Sequence, residues 1–232
     1  MRRPAPFTTA WWQEWGLSAM LVLVCLALFV GLPLETLGIV SSSVVGVIMT
    51  FLFVSGVVAM AGRGWATMAV AAVVLVFQVV RWLSVIFPSR TMNAWDLSLG
   101  LVALVLLTAF VLRHTFRDAR ITGDRVRGGI LAYVLLGLIW CVAYQLVDAF
   151  VPTAFQFPRA HEAVGPGRLS HDLAYYSFVT LTTVGYGDIT PLHPVARALA
   201  MVEALIGQLY PAILIARLVS LQMASKPGGS AP

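Results

Sequence analysis

The residues with the clearest chemical capacity lie in one run, Thr-Leu-Thr-Thr-Val-Gly-Tyr-Gly-Asp, between Thr180 and Asp188. Gly185 and Gly187 have no Cβ, so they accept backbone φ values that other residues avoid. A backbone with such φ values can turn successive carbonyl oxygens toward one axis, and Thr183 can add a hydroxyl oxygen at the inner end. The run therefore predicts a stack of oxygen ligands for a cation that has lost its water. The alternative is a glycine-rich turn with no binding role.

This run resembles the selectivity filter of potassium channels, in which four TVGYG loops replace the hydration shell of K+ with backbone carbonyl oxygens. The resemblance covers a two-helix pore module at 130–221. Because one chain supplies only one strand of the filter, the resemblance implies a homotetramer around a central pore. It implies no cofactor besides the permeant ion. The K+ ligands that it implies are Thr183, Val184, Gly185 and Tyr186, with Gly187 completing the filter.

Residues around the filter receive supporting roles from the same resemblance. In that family, aromatic residues of the pore helix brace the filter tyrosine, and Tyr175 and Tyr176 hold the matching positions for Tyr186. Val179 stands where some bacterial channels carry a glutamate, so an acid pair with Asp188 is not expected. The residues assigned to filter support are Asp188, Tyr175, Tyr176, Thr182 and Glu203.

Glu203 is a carboxylate inside an apolar span, where such a group is costly and usually functional. One interpretation places it behind the filter, hydrogen-bonded to pore-helix hydroxyls such as those of Ser177 or Thr182. The other is a ring of carboxylates that attracts cations into the cavity. Matching the chain to the family through Arg197 turns Glu203 away from the ion path, which favours the supporting role.

The same matching assigns roles along the last span. Gly207 falls on the hinge glycine of the inner helix. Pro211 has no backbone N–H, so it is expected to kink or weaken that helix. The residues expected to line the ion path are Gln208, Pro211, Ile215 and Val219.

The composition is that of a membrane protein. The chain of 232 residues is 59% hydrophobic and 11% charged, with a mean hydropathy of +0.89. A soluble domain of this size could not hide so much apolar surface, so membrane lipids are the expected surroundings. The net charge of +5 comes from loop arginines and indicates orientation in a membrane rather than nucleic-acid binding. The four histidines are scattered without zinc or protease spacing, so an enzyme is not expected.

Six apolar stretches approach the roughly 20 residues needed to cross a bilayer. They are 17–34, 37–61, 65–87, 97–112, 130–151 and 195–221, with a tight turn at 33–36 between the first two. The segment 171–182 is too short to cross and fits a re-entrant pore helix, with Ser170 as its N-cap and Asp172 in its first turn. The predicted fold is an all-α membrane protein with six transmembrane helices, a re-entrant pore helix and a filter loop.

The predicted division of the chain follows these stretches. It comprises an interfacial tail (1–16), a four-helix membrane domain (17–112), a basic cytoplasmic linker (113–129), a pore domain (130–221) and a short tail (222–232). The last tail has no room for a ligand-binding domain, so no regulatory cytoplasmic domain is expected.

The distribution of basic residues predicts orientation. With the N-terminus inside, the cytoplasmic segments carry most of them, as the positive-inside rule requires. Those residues are Arg2, Arg3, Arg63, Arg113, Arg117, Arg120, Arg125, Arg127 and Lys226. The sequence thus predicts a multi-pass protein of the cell's inner membrane with both termini cytoplasmic and the filter extracellular.

The first four spans occupy the position of a voltage sensor but lack its charges. A sensor needs about three or four gating charges per subunit, and 97–112 contains none. Arg81 is a lone charge that either pairs with Asp96 or reaches the headgroups. The linker 113–129 is either a lever helix on the inner leaflet or a basic loop held by anionic lipid. Weak or no voltage dependence is expected.

The sequence leaves two alternatives to a potassium channel. One is a non-conducting membrane regulator that keeps the pore fold and acts by binding partners, although an intact filter argues against it. The other is a non-selective cation channel, against which Val184 and Tyr186 argue.

Overall fold

The computed structural model describes residues 7–60, 65–116, 123–158 and 166–225. These residues form eight α-helices and one antiparallel pair of short strands. In chain order the elements are α1 (Phe7–Leu26), a π-helical turn (Ala27–Gly31), α2 (Leu32–Thr36), α3 (Ser42–Met60), α4 (Trp65–Ile86), α5 (Arg90–Phe116), α6 (Gly123–Phe150), β1 (Phe155–Gln156), α7 (Pro166–Leu181), β2 (Thr190–Pro191) and α8 (Pro194–Ser225). Helices are expected in lipid because they bond every backbone polar group internally.

Five helical stretches are long and apolar enough to cross a membrane. They are Gly16–Thr36, Met68–Ile86, Arg90–Phe116, Arg125–Phe150 and Pro194–Ser220. The predicted second span corresponds to α3, whose 19 residues rise about 28 Å but whose apolar part, Ser42–Val58, is shorter than the other five. The chain is therefore a multi-pass α-helical membrane protein, and the count of six spans stays a prediction.

Several helices are longer than predicted, because polar residues next to the apolar stretches also belong to the helix. α1 begins at Phe7, inside the predicted tail, and the helical stretch continues through the π-helical turn and α2 to Thr36, so the predicted turn at 33–36 is helical. The chain instead reverses at 37–41, where Gly38 has a φ of 71°. The fourth span is the longer helix α5, because Ser89 accepts a hydrogen bond from the Met92 amide (3.1 Å) and caps a polar first turn.

The main core joins the first helices to the pore half of the same chain. α5 packs along α6, and α1 packs against both α3 and α6. Fully buried members of this core are Met20, Val24, Leu52, Leu107, Val111, Leu131 and Leu135. The four-helix part and the pore half therefore share one apolar interior.

Two polar contacts add to this packing. Arg81 donates to the buried Asp96 across 2.8 Å, which joins α4 to α5. Of the two predicted alternatives, Arg81 therefore pairs with Asp96 and does not extend to the lipid headgroups. Arg217 in α8 donates to the carbonyl of Phe116 (2.6 Å) and lies over its ring. A cation suits this place, since the last carbonyls of a helix carry a partial negative charge. In the predicted linker, 113–116 belong to α5 and 123–129 to α6, and only 117–122 lie outside the described residues, so the lever-helix interpretation stays open.

Candidate functional site

Helix α7 positions the filter run from behind. It spans Pro166–Leu181, where the sequence predicted 171–182, so it begins one turn earlier. Proline suits a first helical position because its missing N–H would be unpaired there anyway. Ser170 is consequently inside the helix and is not its N-cap. Its hydroxyl donates to Oε1 of Gln145 in α6 (3.0 Å) instead.

The filter backbone alternates in handedness. The φ values of Thr183, Gly185 and Gly187 are 60°, 58° and 76°, while Val184 and Tyr186 keep negative φ. Successive residues of opposite handedness align their peptide groups, which is how a backbone offers a row of like dipoles to an ion. The positive φ values expected at Gly185 and Gly187 are thus present, and the stack of carbonyl oxygens stays a prediction. A stack of carbonyl oxygens is the ligand set that such a loop can offer.

Thr183 was not predicted to adopt positive φ. A β-branched residue rarely does so, and left-handed backbone costs an L-residue roughly 1–2 kcal/mol. The strain persists only where surrounding structure holds it. Next to it, the amides of Val184 and Gly185 both donate to the carbonyl of Val179, at 2.9 and 3.3 Å. The loop is thereby tied to the last turn of α7.

Tyr175 and Asp188 support the outer part of the filter run. The Tyr175 ring stacks on the Tyr186 ring with centroids 6.5 Å apart and planes inclined by 5°. The Tyr175 hydroxyl donates to Oδ2 of Asp188 (2.8 Å), and the Ile189 amide donates to Oδ1 (3.0 Å). One side chain of α7 therefore contacts the filter tyrosine and also fixes the acid that follows the filter.

Tyr176 and Thr182, also predicted to support the filter, contact other residues within this chain, and their supporting role stays a prediction. Tyr176 is buried among Tyr144 and Phe155, with ring centroids at 5.0 and 5.4 Å. The Thr182 hydroxyl donates back to the Phe178 carbonyl (2.6 Å). Such a bond is local to the helix end, because a threonine hydroxyl reaches the carbonyl four residues before it.

A two-stranded sheet, which was not predicted, anchors the chain after the filter. Phe155 pairs with Pro191 and Gln156 pairs with Thr190. The Ala154 carbonyl accepts the amides of Leu192 (2.8 Å) and His193 (3.2 Å) in addition. The alternation Phe-Gln-Phe at 155–157 is the only sequence signal for such a strand, and three residues are too few to identify one. Residues 159–165, between β1 and α7, lie outside the described residues.

Glu203 lies behind α7, fully buried within the chain. Its Oε1 accepts the Ser177 hydroxyl (2.6 Å), and its Oε2 accepts the Tyr144 hydroxyl. Ser177 is also within bonding distance of the Gly137 carbonyl (2.8 Å). The carboxylate thus joins α6, α7 and α8. This geometry favours the supporting role over the cavity ring, although Thr182 is not among its partners.

At Gly207, α8 comes close to the end of α7. A Cβ built on it would lie 1.8 Å from the Leu181 carbonyl oxygen, so only glycine fits. Its predicted role as a hinge stays a prediction, and α8 is continuous through Pro211. Of the residues predicted to line the ion path, Gln208, Ile215 and Val219 are exposed on the single chain and Pro211 is half-buried.

Comparisons with known proteins point to the same half of the chain. A family model described as an ion channel matches residues 132–223. Protein LctB of Bacillus caldotenax and that of Geobacillus stearothermophilus are each 33% identical over 126 residues, which covers 52% of this chain and 92% of theirs. Two pore potassium channel c of Oryza sativa subsp. japonica is 35% identical over 91 residues, 39% of this chain and 17% of the rice protein.

No solved structure matches the chain. The matched family segment, 132–223, contains most of α6, the whole of α7 and the filter run, and α8 almost to its end. With most of the length of each LctB relative covered at 33% identity, the chain belongs to this ion channel family.

Proposed function

We propose that this protein is a homotetrameric, potassium-selective channel that conducts K+ passively through a filter of backbone carbonyl oxygens. The observation that carries the proposal is the alternation of backbone handedness at 183–187. The name of the rice relative, a potassium channel, supports the choice of ion. In this mechanism K+ exchanges its water for rings of oxygens at Thr183, Val184, Gly185 and Tyr186.

Selectivity in this proposal depends on fixed oxygen positions. Tyr175 contacts Tyr186 and Asp188 on the side of α7, which restrains the outer end of the loop. The C-terminal end of α7 carries a partial negative charge, which favours a cation in front of it. The residues that we assign to the inner cavity are Gln208, Pro211, Ile215 and Val219.

The exposure of the filter run in one chain supports assembly of several copies, and four is the number that the resemblance to potassium channels implies. In the single chain, 53% of Val184 and 71% of Tyr186 are exposed. Along α8 an apolar face is also uncovered, including Met201, Leu205, Leu209 and Ile213. Large apolar surfaces of this kind mark interaction sites with protein or lipid. We place the tetramer in the inner membrane with both termini cytoplasmic, as the arginine distribution favours.

The proposal is tested by K+ flux from the purified protein in liposomes, with barium as blocker and with reversal potentials in K+ and Na+. We expect barium-sensitive flux and a strong preference for K+. A silent protein would favour the non-conducting regulator, and equal permeation of Na+ would favour the non-selective channel.

Replacing Gly185 with alanine is expected to reduce K+ flux by about tenfold or more, because alanine at a φ of 58° strains every copy of the loop. Gly38 provides a matched control. Its φ is 71°, and a Cβ on either glycine would meet nothing within 4 Å. Gly38→Ala therefore adds similar strain outside the filter. Flux lost equally in both variants would contradict a role specific to the filter run.

Voltage dependence is expected to be weak. Each charge that crosses the field contributes roughly 2.3 kcal/mol per 100 mV, so steep gating needs several per subunit. The stretch 97–112 of α5 contains none, and Arg81 is neutralised by Asp96. We expect a nearly flat conductance–voltage relation in symmetrical K+, unchanged in Arg81→Gln. A steep relation in the unmodified protein would refute this expectation.

A further inference from the structure

Leu181 is the last residue of the pore helix α7 and lies two residues before Thr183. The last four carbonyls of a helix have no partner within that helix. The amides of Val184 and Gly185, three and four residues later, both donate to Val179 instead. Because Leu181 is fully buried, its carbonyl depends on another element of the protein for a hydrogen bond.

Tyr133 of α6 supplies that hydrogen bond. Its hydroxyl donates to the Leu181 carbonyl oxygen across 3.2 Å. Gly207 of α8 approaches the same oxygen, since a Cβ there would lie 1.8 Å from it. The carbonyl is thus enclosed between a hydroxyl from one helix and the bare Cα of another.

The ring of Tyr133 is itself held in place. It stacks on Tyr210 with centroids 5.7 Å apart and an interplanar angle of 24°. The Tyr210 hydroxyl donates to the Gly129 carbonyl (2.8 Å), one helical turn before Tyr133. Tyr210 in turn follows Gly207 by three residues in α8. The two tyrosines therefore fasten α6 to α8 at the level where α7 ends.

We propose that Tyr133 is a positioning residue for ion selectivity. Its hydroxyl fixes the Leu181 carbonyl and hence the direction in which Thr182 and Thr183 leave the helix. Thr183 needs such restraint because its φ of 60° is strained, and strained backbone persists only when its surroundings hold it. Without the hydroxyl, Thr183 can relax and its oxygens no longer keep fixed distances from the ion. This inference rests on the proposed function.

The test is the Na+-to-K+ permeability ratio of the full-length tetramer in liposomes, compared between unmodified protein and Tyr133→Phe. We expect the ratio to rise roughly three- to tenfold, the range that one net hydrogen bond supports. A merely structural role would lower thermal stability without moving this ratio. Thr108→Val is the matched control, since it also removes a buried hydroxyl bonded to a backbone carbonyl, that of Leu104 (2.7 Å), but lies in α5 away from the filter run. Its ratio is expected to match that of the unmodified protein.

The outcomes separate the two proposals. If the unmodified protein does not select K+, the proposed function fails and this inference fails with it. If the unmodified protein selects K+ and Tyr133→Phe leaves the ratio unchanged, only the inference is overturned. Equal increases in Tyr133→Phe and Thr108→Val also overturn it, because the effect would then be general helix packing. Should Tyr133→Phe not assemble, 3-fluorotyrosine at 133 is measured at mildly acidic pH, where its hydroxyl stays protonated and is a stronger donor, and it is expected to lower the ratio. An unchanged ratio in that protein overturns the inference too.

Discussion

Gly207→Ala is expected to abolish the assembled, conducting protein. The added Cβ would lie 1.8 Å from the Leu181 carbonyl oxygen, 2.7 Å from the carbonyl carbon and 3.0 Å from Cα. All three atoms are backbone, so no side-chain rotation relieves the overlap. Either α8 moves away from α7 or the end of the pore helix shifts, and overpacking of this kind costs about 3 kcal/mol per chain.

Gly46→Ala is the matched control for this experiment. Gly46 also lies within an apolar helix, but a Cβ there would meet nothing within 4 Å. Alanine in a helix interior is favoured over glycine by roughly 0.5–1 kcal/mol, so this variant is expected to be as stable as the unmodified protein or slightly more so. Size-exclusion chromatography, thermal unfolding in detergent and K+ flux measure the outcome. If Gly207→Ala assembled and conducted normally, the close approach of α8 to α7 would be wrong.

Gly207 shows which features of the candidate site can be predicted from the sequence and which cannot. Matching through Arg197 identified the position as important but assigned it to bending. The contact with Leu181 joins residues 26 positions apart, and no local pattern encodes which backbone atom will face a glycine. The positive φ values of Gly185 and Gly187 were easier to predict, because tolerance of positive φ is a property of glycine itself.

Other features of the structure were not predicted from the sequence, for related physical reasons. Thr183 adopts positive φ against its own preference, so its conformation is imposed by neighbours and not by its residue type. Strands β1 and β2 have two residues each, too few for periodicity to register. Ser170 was predicted as a cap because serine favours that position, but tertiary packing gave its hydroxyl a partner in α6. The residue types alone therefore identified the filter run. The residues that support it could be identified only once the packing of the helices was known.

The buried carboxylate of Glu203 gives the second large effect. Glu203→Leu would leave the Tyr144 hydroxyl without its acceptor in a buried site, at a cost of about 1–3 kcal/mol per chain. Ser177 would keep the Gly137 carbonyl as acceptor. We therefore expect lower thermal stability of the tetramer and reduced K+ flux, since α7 loses a bond to α8 behind the filter.

Glu203→Gln separates the supporting role from a ring of charge in the cavity. Glutamine keeps the shape, and its oxygen can accept the Tyr144 hydroxyl. Its amide nitrogen can donate to the Ser177 oxygen while the Ser177 hydroxyl donates to the Gly137 carbonyl. The supporting role therefore predicts that single-channel conductance and tetramer stability stay near those of the unmodified protein. A ring of cavity carboxylates predicts the reverse, because four negative charges along the ion path would disappear together. A large fall in conductance with intact tetramers would thus reassign Glu203 to the cavity. Because Glu203→Leu removes both the charge and the hydrogen bonds, only the comparison of the two variants distinguishes the roles.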